Sequence, residues 1–549
     1  MRPRPIQIGS VDRRITRRSF VVQAGLLVAG SAIGTPLLGC AESQTEIPCL
    51  GPAAAPAPVP GMTYIRASEI GCALDCDLTT GRNKFRDGAA TDDGPRINAA
   101  MAGASAATPI TLIIDGSALI SGLFLPAGGY WGIAGLGCGT GFFVQSGINN
   151  DGIHNGPPDA AIVTNPGPPA PARGKNVSLS NFTLNGNQGN GHDGVSTSGQ
   201  PHGSDTVWYF GIDLMSLDNI SIENLVVVNT PAYCIRLSNV GNVTVSGCVI
   251  QGQGVNTDGL HFDGPANDIA ISNCRFATGD DSIALNCPEG YSGNISRVTV
   301  TGCTFNSLTL MRLYTVSGSA RFMIDSVTVS DCTGTLQGGA FLIGWVDLGN
   351  PAAVGSLSIS NCNLTGPVVF GVAESFGIIH ASNVTFFPTP LDWHSQHSHA
   401  SGFLRPPPWP NGLNAWSGSN VILENCTIVR RENTDVAAVI FEESSMIGNL
   451  QFNGFAVQQA GFTDPAKSLL DIEAGSITQL VFNSVDSGHI GAPVGAGQFA
   501  NIGTVTGNGV LATRWRFPDA VMADNVPYIS ATTGLPSIKV GGIVEPYSP

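Results

Sequence analysis

Short runs of alternating apolar and polar residues fill most of the chain, and the runs recur. They are "VTVSGCVI" around Cys248, "IAISNCRF" around Cys274, "VTVTGCTF" around Cys303, "VTVSDCTG" around Cys332 and "LSISNCNL" around Cys362. The frame returns in "VILENCTI" at Cys426, and Phe182, Leu225, Val384, Leu450 and Leu480 hold the marker position elsewhere. Steps between the first five markers are 26, 29, 29 and 30 residues. Alternation at period two predicts strands, and a repeat of roughly 20–50 residues carrying strand-like units predicts a solenoid. Each unit offers a strand, a turn rich in Asn and Gly, and a second short strand. Stacked coils of this kind predict an all-β, right-handed parallel β-helix, with like residues roughly 4.8 Å apart.

The start of the repeat differs. "TDDGPRINAAMAGA", Thr91 to Ala104, predicts a helix with an aspartate cap and Pro95 in its first turn, closing the N-terminal end of the solenoid. "PITLIIDG" then reads as the first buried strand.

Thirteen cysteines would suggest disulfides in an exported protein. Here six of them stand in one column where Phe, Leu and Val substitute, which predicts core packing instead. Cys72 and Cys76, in "CALDC", are the pair close enough in sequence to bridge.

Composition narrows the class. Gly 70, Pro 36 and 42% hydrophobic residues fit many turns and short strands, and exclude a disordered chain. A net charge of −15 excludes a nucleic-acid partner, which needs a basic face. Residues 1–40 read as an address: "TRRSFVV" sets a twin arginine before an apolar run, and "LLGC" ends it at Cys40. That pattern is similar to a twin-arginine lipoprotein signal, with Cys40 lipidated. Residues 41–61 have the Pro/Ala composition of a tether, and 62–549 form a single β-helix domain. A monomer held to a membrane, periplasmic or on the cell surface, is expected.

The candidate chemistry lies in the strand preceding each marker. Coils read "FGIDL" from Phe210, "YCIRL" from Tyr233, "DGLHF" from Asp258 and "DSIAL" from Asp281, with "MRLYT" from Met311 next. Third and fifth positions are apolar in the first four and face the core, so the second and fourth face solvent. That wall carries Asp213, Arg236, His261, Arg312 and Tyr314. Asp258 and Asp281 share a column, and Asp280 stands beside them. Three carboxylates would converge, and mutual repulsion would raise the pKa of at least one. Such a set suits a glycosidase. An inverting enzyme separates its acid and base by roughly 6.5–9.5 Å, leaving room for a water. The adjacent acids Asp92 and Asp93 are accounted for by helix capping.

With "NTDG" (Asn256 to Gly259) followed by "GDD" (Gly279 to Asp281), the chain resembles the polygalacturonases of glycoside hydrolase family 28 and related β-helix proteins. "TDDGPRINAA" is similar to the capping segment of the wider pectate-lyase-like superfamily. The resemblance implies Asp280 as general acid, Asp258 and Asp281 as the pair that activates water, inversion, and no cofactor. Two parts of the family pattern are absent. Where polygalacturonases carry G-H-G this chain has "NSLTLMRLYT", and where they carry R-I-K it has "GGAFLIGWVD". The groups that grip a uronate are missing from those places. Asn256, His261, Arg236, Arg312 and Tyr314 remain as candidate substrate contacts, and a neutral or decorated glycan is as reasonable a substrate as polygalacturonate.

Two insertions interrupt the repeat, at about 186–208 and 388–416. The second holds Trp393, Trp409 and Trp416, whose faces could stack on sugar rings. It also holds His394, His397 and His399, but only Asp392 stands near to complete a ligand set, so no metal is expected. Two other readings stay open: a polysaccharide lyase with Arg236 or Arg312 as base and calcium on the three acids, and a non-catalytic glycan-binding surface protein.

Overall fold

The structure is a computed structural model. It describes residues 47–49, 51–147, 150–156, 169–188, 209–254, 256–317, 320–344, 353–390, 401–405, 416–431, 436–441, 444–459 and 466–548. Met1–Ile47 forms a unit of its own, and Pro48–Pro549 forms the other. The signal and Cys40 lie outside the described residues, as do Trp393, Trp409, the three histidines beside them and most of 186–208. Among the described residues no helix is long and apolar enough to cross a membrane.

Among the described residues of the second unit, 35 strands form one parallel sheet wound into coils. Six strands carry the argument: β1 (Ile212–Glu223), β2 (Ile235–Ser246), β3 (Leu260–Ser272), β4 (Asp281–Asn286), β5 (Thr304–Tyr314) and β6 (Thr333–Ile343). Each pairs in parallel with the equivalent strand of the next coil, through Ile212↔Ile235, Ile235↔Leu260, Leu260↔Ile283, Ile283↔Met311 and Met311↔Phe341. Parallel coil-to-coil connections of one hand give the right-handed parallel β-helix that the repeat predicts.

The ladder keeps like above like. Cys248, Cys274, Cys303, Cys332, Cys362 and Cys426 are all buried and unbridged. The residue before the marker turns the corner in the left-handed region: Asn181, Asn224, Asn273, Asp331, Asn361, Asn383 and Asn425 have φ of 48–58°. Gly247 and Gly302 stand in the same place, since Gly, then Asn and Asp, adopt that conformation most readily. The Asn side chains also stack, Asn383 Nδ2 donating to Asn361 Oδ1 at 3.1 Å. Spacing and turn chemistry together explain why "NC" and "GC" recur. Leu450 and Leu480 do not hold the marker position as expected: they pair in register with Val421, inside the strand, and Phe455 and Val485 follow Cys426 in its column.

The expected helix is present as α1, Gly94–Met101, with Ile97 and Met101 buried in the main core. Its capping differs from expectation. Asp93 occupies the N-cap but makes no side-chain bond to the helix. Its carboxylate instead accepts from the backbone N–H groups of Ala73 (2.7 Å) and Leu74 (2.9 Å). Asp92 Oδ1 takes the Gly94 N–H at 3.0 Å and the Ser121 N–H at 3.1 Å.

Cys72 and Cys76 are both free and buried; the disulfide joins Cys49 to Cys138. Cys49 falls within the expected tether, and Ala53 N–H donates to Leu136 O at 2.9 Å, so this stretch is fastened to the second coil. The C-terminal end adds a small four-stranded sheet spanning Arg516–Pro546 that the repeat did not predict.

Candidate active site

Coil-to-coil register sets the site. Strand β3 is preceded by Asp258, β4 opens on Asp281, and Gly259 N–H donates to Asp281 O at 2.9 Å, so the two acids stand on adjacent coils in one column. Thr309 of β5 follows in that column and donates its hydroxyl to Asp281 Oδ1 at 2.5 Å. Asp280 Oδ2 accepts the Asn256 N–H at 2.9 Å, and Asn256 holds φ at 58°. Gly279 is needed here because a Cβ would lie 2.2 Å from Gly254 O on the coil before. One oxygen from each of Asp258, Asp280 and Asp281 lies within 4.8 Å of the others.

The three are not equally accessible. Asp280 is half-buried, whereas Asp281 is 6% exposed and Asp258 is 0% exposed. The expected open wall is therefore corrected. Its outward column runs Asp213, Arg236, His261, Ala284, Arg312 and Leu342 in register, as the alternation predicts. Yet Asp213, Arg236 and His261 are buried, and only Arg312 and, one column over, Tyr314 keep partial exposure. Alternation fixes which way a side chain leaves the strand; it carries no information about what lies over that face.

Buried charges need partners, and these have them. Arg236 Nε donates to Asp263 Oδ2 at 2.7 Å, and its Nη1 to Asp213 Oδ2 at 3.4 Å. His261 Nδ1 bonds Asp258 Oδ2 at 2.7 Å, while its Nε2 faces Glu289 Oε2 at 2.9 Å and Asp263 Oδ1 at 3.1 Å. Tyr233 stacks on the imidazole at 3.7 Å and Phe210 on Tyr233 at 5.2 Å. Burial pushes the imidazole pKa down, but hydrogen bonds to Asp258, Asp263 and Glu289 hold it well above its ordinary value. Burial also pushes the Asp213 carboxyl up to about 6, against the pull of Arg236.

Arg236 and His261 thus act on the acids from behind and present no surface to a substrate. Trp416 is likewise removed from the binding face: it is 3% exposed, between Phe376 at 5.7 Å and Phe441 at 5.4 Å. It stands at the entry to the strand Ser417–Glu424, where the chain has already rejoined the coil. Asn256 meets the triad through its backbone, and Arg312 lies over the Tyr314 ring at 5.9 Å. Sequence reading missed Asp263 and Glu289. Asp263 was within reach, since "DGLHFD" continues the outward alternation of His261; Glu289 sits in a turn after β4, where periodicity carries no signal.

Residues 165–338 match the family model described as Glycosyl hydrolases family 28. In this stretch the chain is polygalacturonase-like. The match takes in all three acids and ends where the R-I-K coil would begin. An endo-polygalacturonase of Sclerotinia sclerotiorum is 25% identical over 156 residues, 28% of this chain and 39% of the relative. A polygalacturonase of Penicillium griseoroseum is 27% identical over 225 residues, 36% of this chain and 58% of the relative. The alignments therefore span less than two thirds of either relative's length. Among solved structures, a Yersinia enterocolitica family 28 exopolygalacturonase aligns at TM-score 0.44 with 12% identity, covering 79% of this chain and 77% of that one. The A-module of the Azotobacter vinelandii mannuronan C-5 epimerase AlgE4 aligns at 0.44 with 13% identity, covering 78% and 96%.

Proposed function

We propose that this chain is an exported glycoside hydrolase that cleaves a polysaccharide. In this reading Asp280 protonates the leaving oxygen, and Asp258 and Asp281 hold and activate the attacking water. The observation that carries it is the convergence of the three carboxylates, drawn from two coils to within 4.8 Å. Their unequal burial supports the division of labour. Asp280, half-buried, can reach a glycosidic oxygen. Asp258 has its Oδ2 occupied by His261 and its buried Oδ1 without a hydrogen-bond partner among the described residues, so one lone-pair side is left for a water.

The oxygens stand closer than the roughly 6.5–9.5 Å that leaves a water between acid and base in most inverting enzymes. The water must then sit beside the carboxylates, against Asp258 and Asp281. Inversion is carried over from the family resemblance, and the anomeric form of the first product, read by NMR, tests it. A β-anomeric reducing end from an α-linked substrate within the first turnovers is expected; an α-anomer would overturn it.

One observation disfavours Arg236 as the base of the lyase reading and leaves Arg312 as its candidate. Arg236, a candidate base, is buried and paired with two carboxylates, a setting that holds its proton firmly. Export by the twin-arginine route and a lipid anchor at Cys40 rest on the sequence motifs. The decisive experiment incubates purified protein with neutral and uronic polysaccharides beside an Asp280→Asn blank. New reducing ends from the wild type alone are expected; release that survives the substitution would overturn the assignment, and glycan binding without turnover would favour the non-catalytic reading.

A further inference from the structure

Behind the triad lies a second cluster that the proposed hydrolysis does not use. One donor atom from each of His261, Asp263 and Glu289 lies within 4.8 Å of the others, and the three residues are buried. Their separations from Nε2 are 2.9 Å to Glu289 and 3.1 Å to Asp263. One N–H cannot point squarely at two carboxylate oxygens on different coils. Donors around a cation at about 2.1 Å, in contrast, stand about 3.0 Å apart when adjacent in an octahedron.

Asn286 supplies an independent observation. It is 2% exposed, its Nδ2 lies 3.5 Å from His261 Nε2, and its Oδ1 has no partner among the described residues. With the amide set this way, the buried carbonyl oxygen is left unpaired while the N–H₂ faces the cluster. Turning the amide over aims its carbonyl oxygen into the cluster. Asn286 pairs in register with Asp263, so the two side chains leave neighbouring coils on the same side.

We propose that His261, Asp263, Glu289 and Asn286 form a buried site for a first-row divalent cation of the Mn²⁺ to Zn²⁺ class. One imidazole nitrogen with three oxygens suits these ions; calcium takes oxygen alone. The surroundings are those of a metal centre. The other ring nitrogen of His261 donates to Asp258 Oδ2 at 2.7 Å, the carboxylate–histidine arrangement that fixes a ligating imidazole. Arg236 holds the second oxygen of Asp263 at 2.7 Å. The cation would cross-link β3 to the segment after β4 and, through His261, set the angle of the Asp258 carboxylate.

The test uses the full mature protein. Elemental analysis of the protein as isolated should find about one equivalent of Mn, Fe or Zn per chain. EDTA should lower the melting midpoint by a few degrees, and ZnCl₂ or MnCl₂ should restore it. Glu289→Gln and Asn286→Ser should each weaken uptake about tenfold or more, while Asp280→Asn keeps the metal. Metal-free wild type with an unchanged midpoint and no response to either salt would overturn the proposal, whichever variants fold. Metal lost in Asp280→Asn but kept in Glu289→Gln would also overturn it, by moving the ion to the triad. Because these readouts need no turnover, they stand apart from the hydrolase reading.

Discussion

Two pairs of adjacent aspartates occur in this chain, and the fold treats them in opposite ways. Asp92 and Asp93 spend their oxygens on backbone N–H groups of Gly94, Ser121, Ala73 and Leu74, fastening α1 to the first coils. Asp280 and Asp281 take one backbone N–H and one threonine hydroxyl in the contacts described above, and a third carboxylate is brought in beside them. A carboxylate surrounded by N–H donors is structural. Carboxylates gathered against their own repulsion are what the proposed hydrolysis calls for.

The comparison can be broken most directly at Asp280. Asp280→Asn keeps an oxygen for the Asn256 N–H, so the melting curve should hold while reducing-end release falls by roughly 10²–10⁴, the usual size of a lost general acid. Equal loss of both would make Asp280 structural like Asp93. Next in size is Arg236→Met. It strands Asp213 and Asp263 as buried charges, and chemical denaturation should show about 3–5 kcal/mol of lost stability. A neutral outcome would mean that the outward column is wetter than its burial indicates.

On the capping side, Asp93→Asn turns one accepted bond into a clash of donors at a buried position. We expect about 1–3 kcal/mol of destabilisation by denaturant titration, with turnover of the folded protein unchanged. Altered turnover at equal folded fraction would dissolve the contrast between the two pairs. The smallest effect is assigned to Asp92→Ala, about 1 kcal/mol, because it removes one cap bond and one loop bond at a partly exposed site.

Much of the architecture was legible from the chain. Marker cysteines one coil apart, Asn, Gly or Asp before them, and matching third and fifth strand positions gave the stacking, the corner conformation and the register that puts Asp258 over Asp281. The coil that adds Asp280 was legible for the same reason. Burial of Arg236 and His261 was not, nor was the placement of Trp416 inside the core, nor the pairing of Cys49 with Cys138 across 89 residues. Those depend on segments far apart in sequence.

What the sequence by itself determined is everything that repeats: a two-residue alternation and a coil-length period translate directly into which side chains stack and which way they leave the strand. What only the tertiary structure decided is everything that happens once per molecule. Glu289 arrives from a turn to face His261, and a face that points outward is closed over. Neither leaves a period to read, because each is set by where the chain goes after it leaves the ladder.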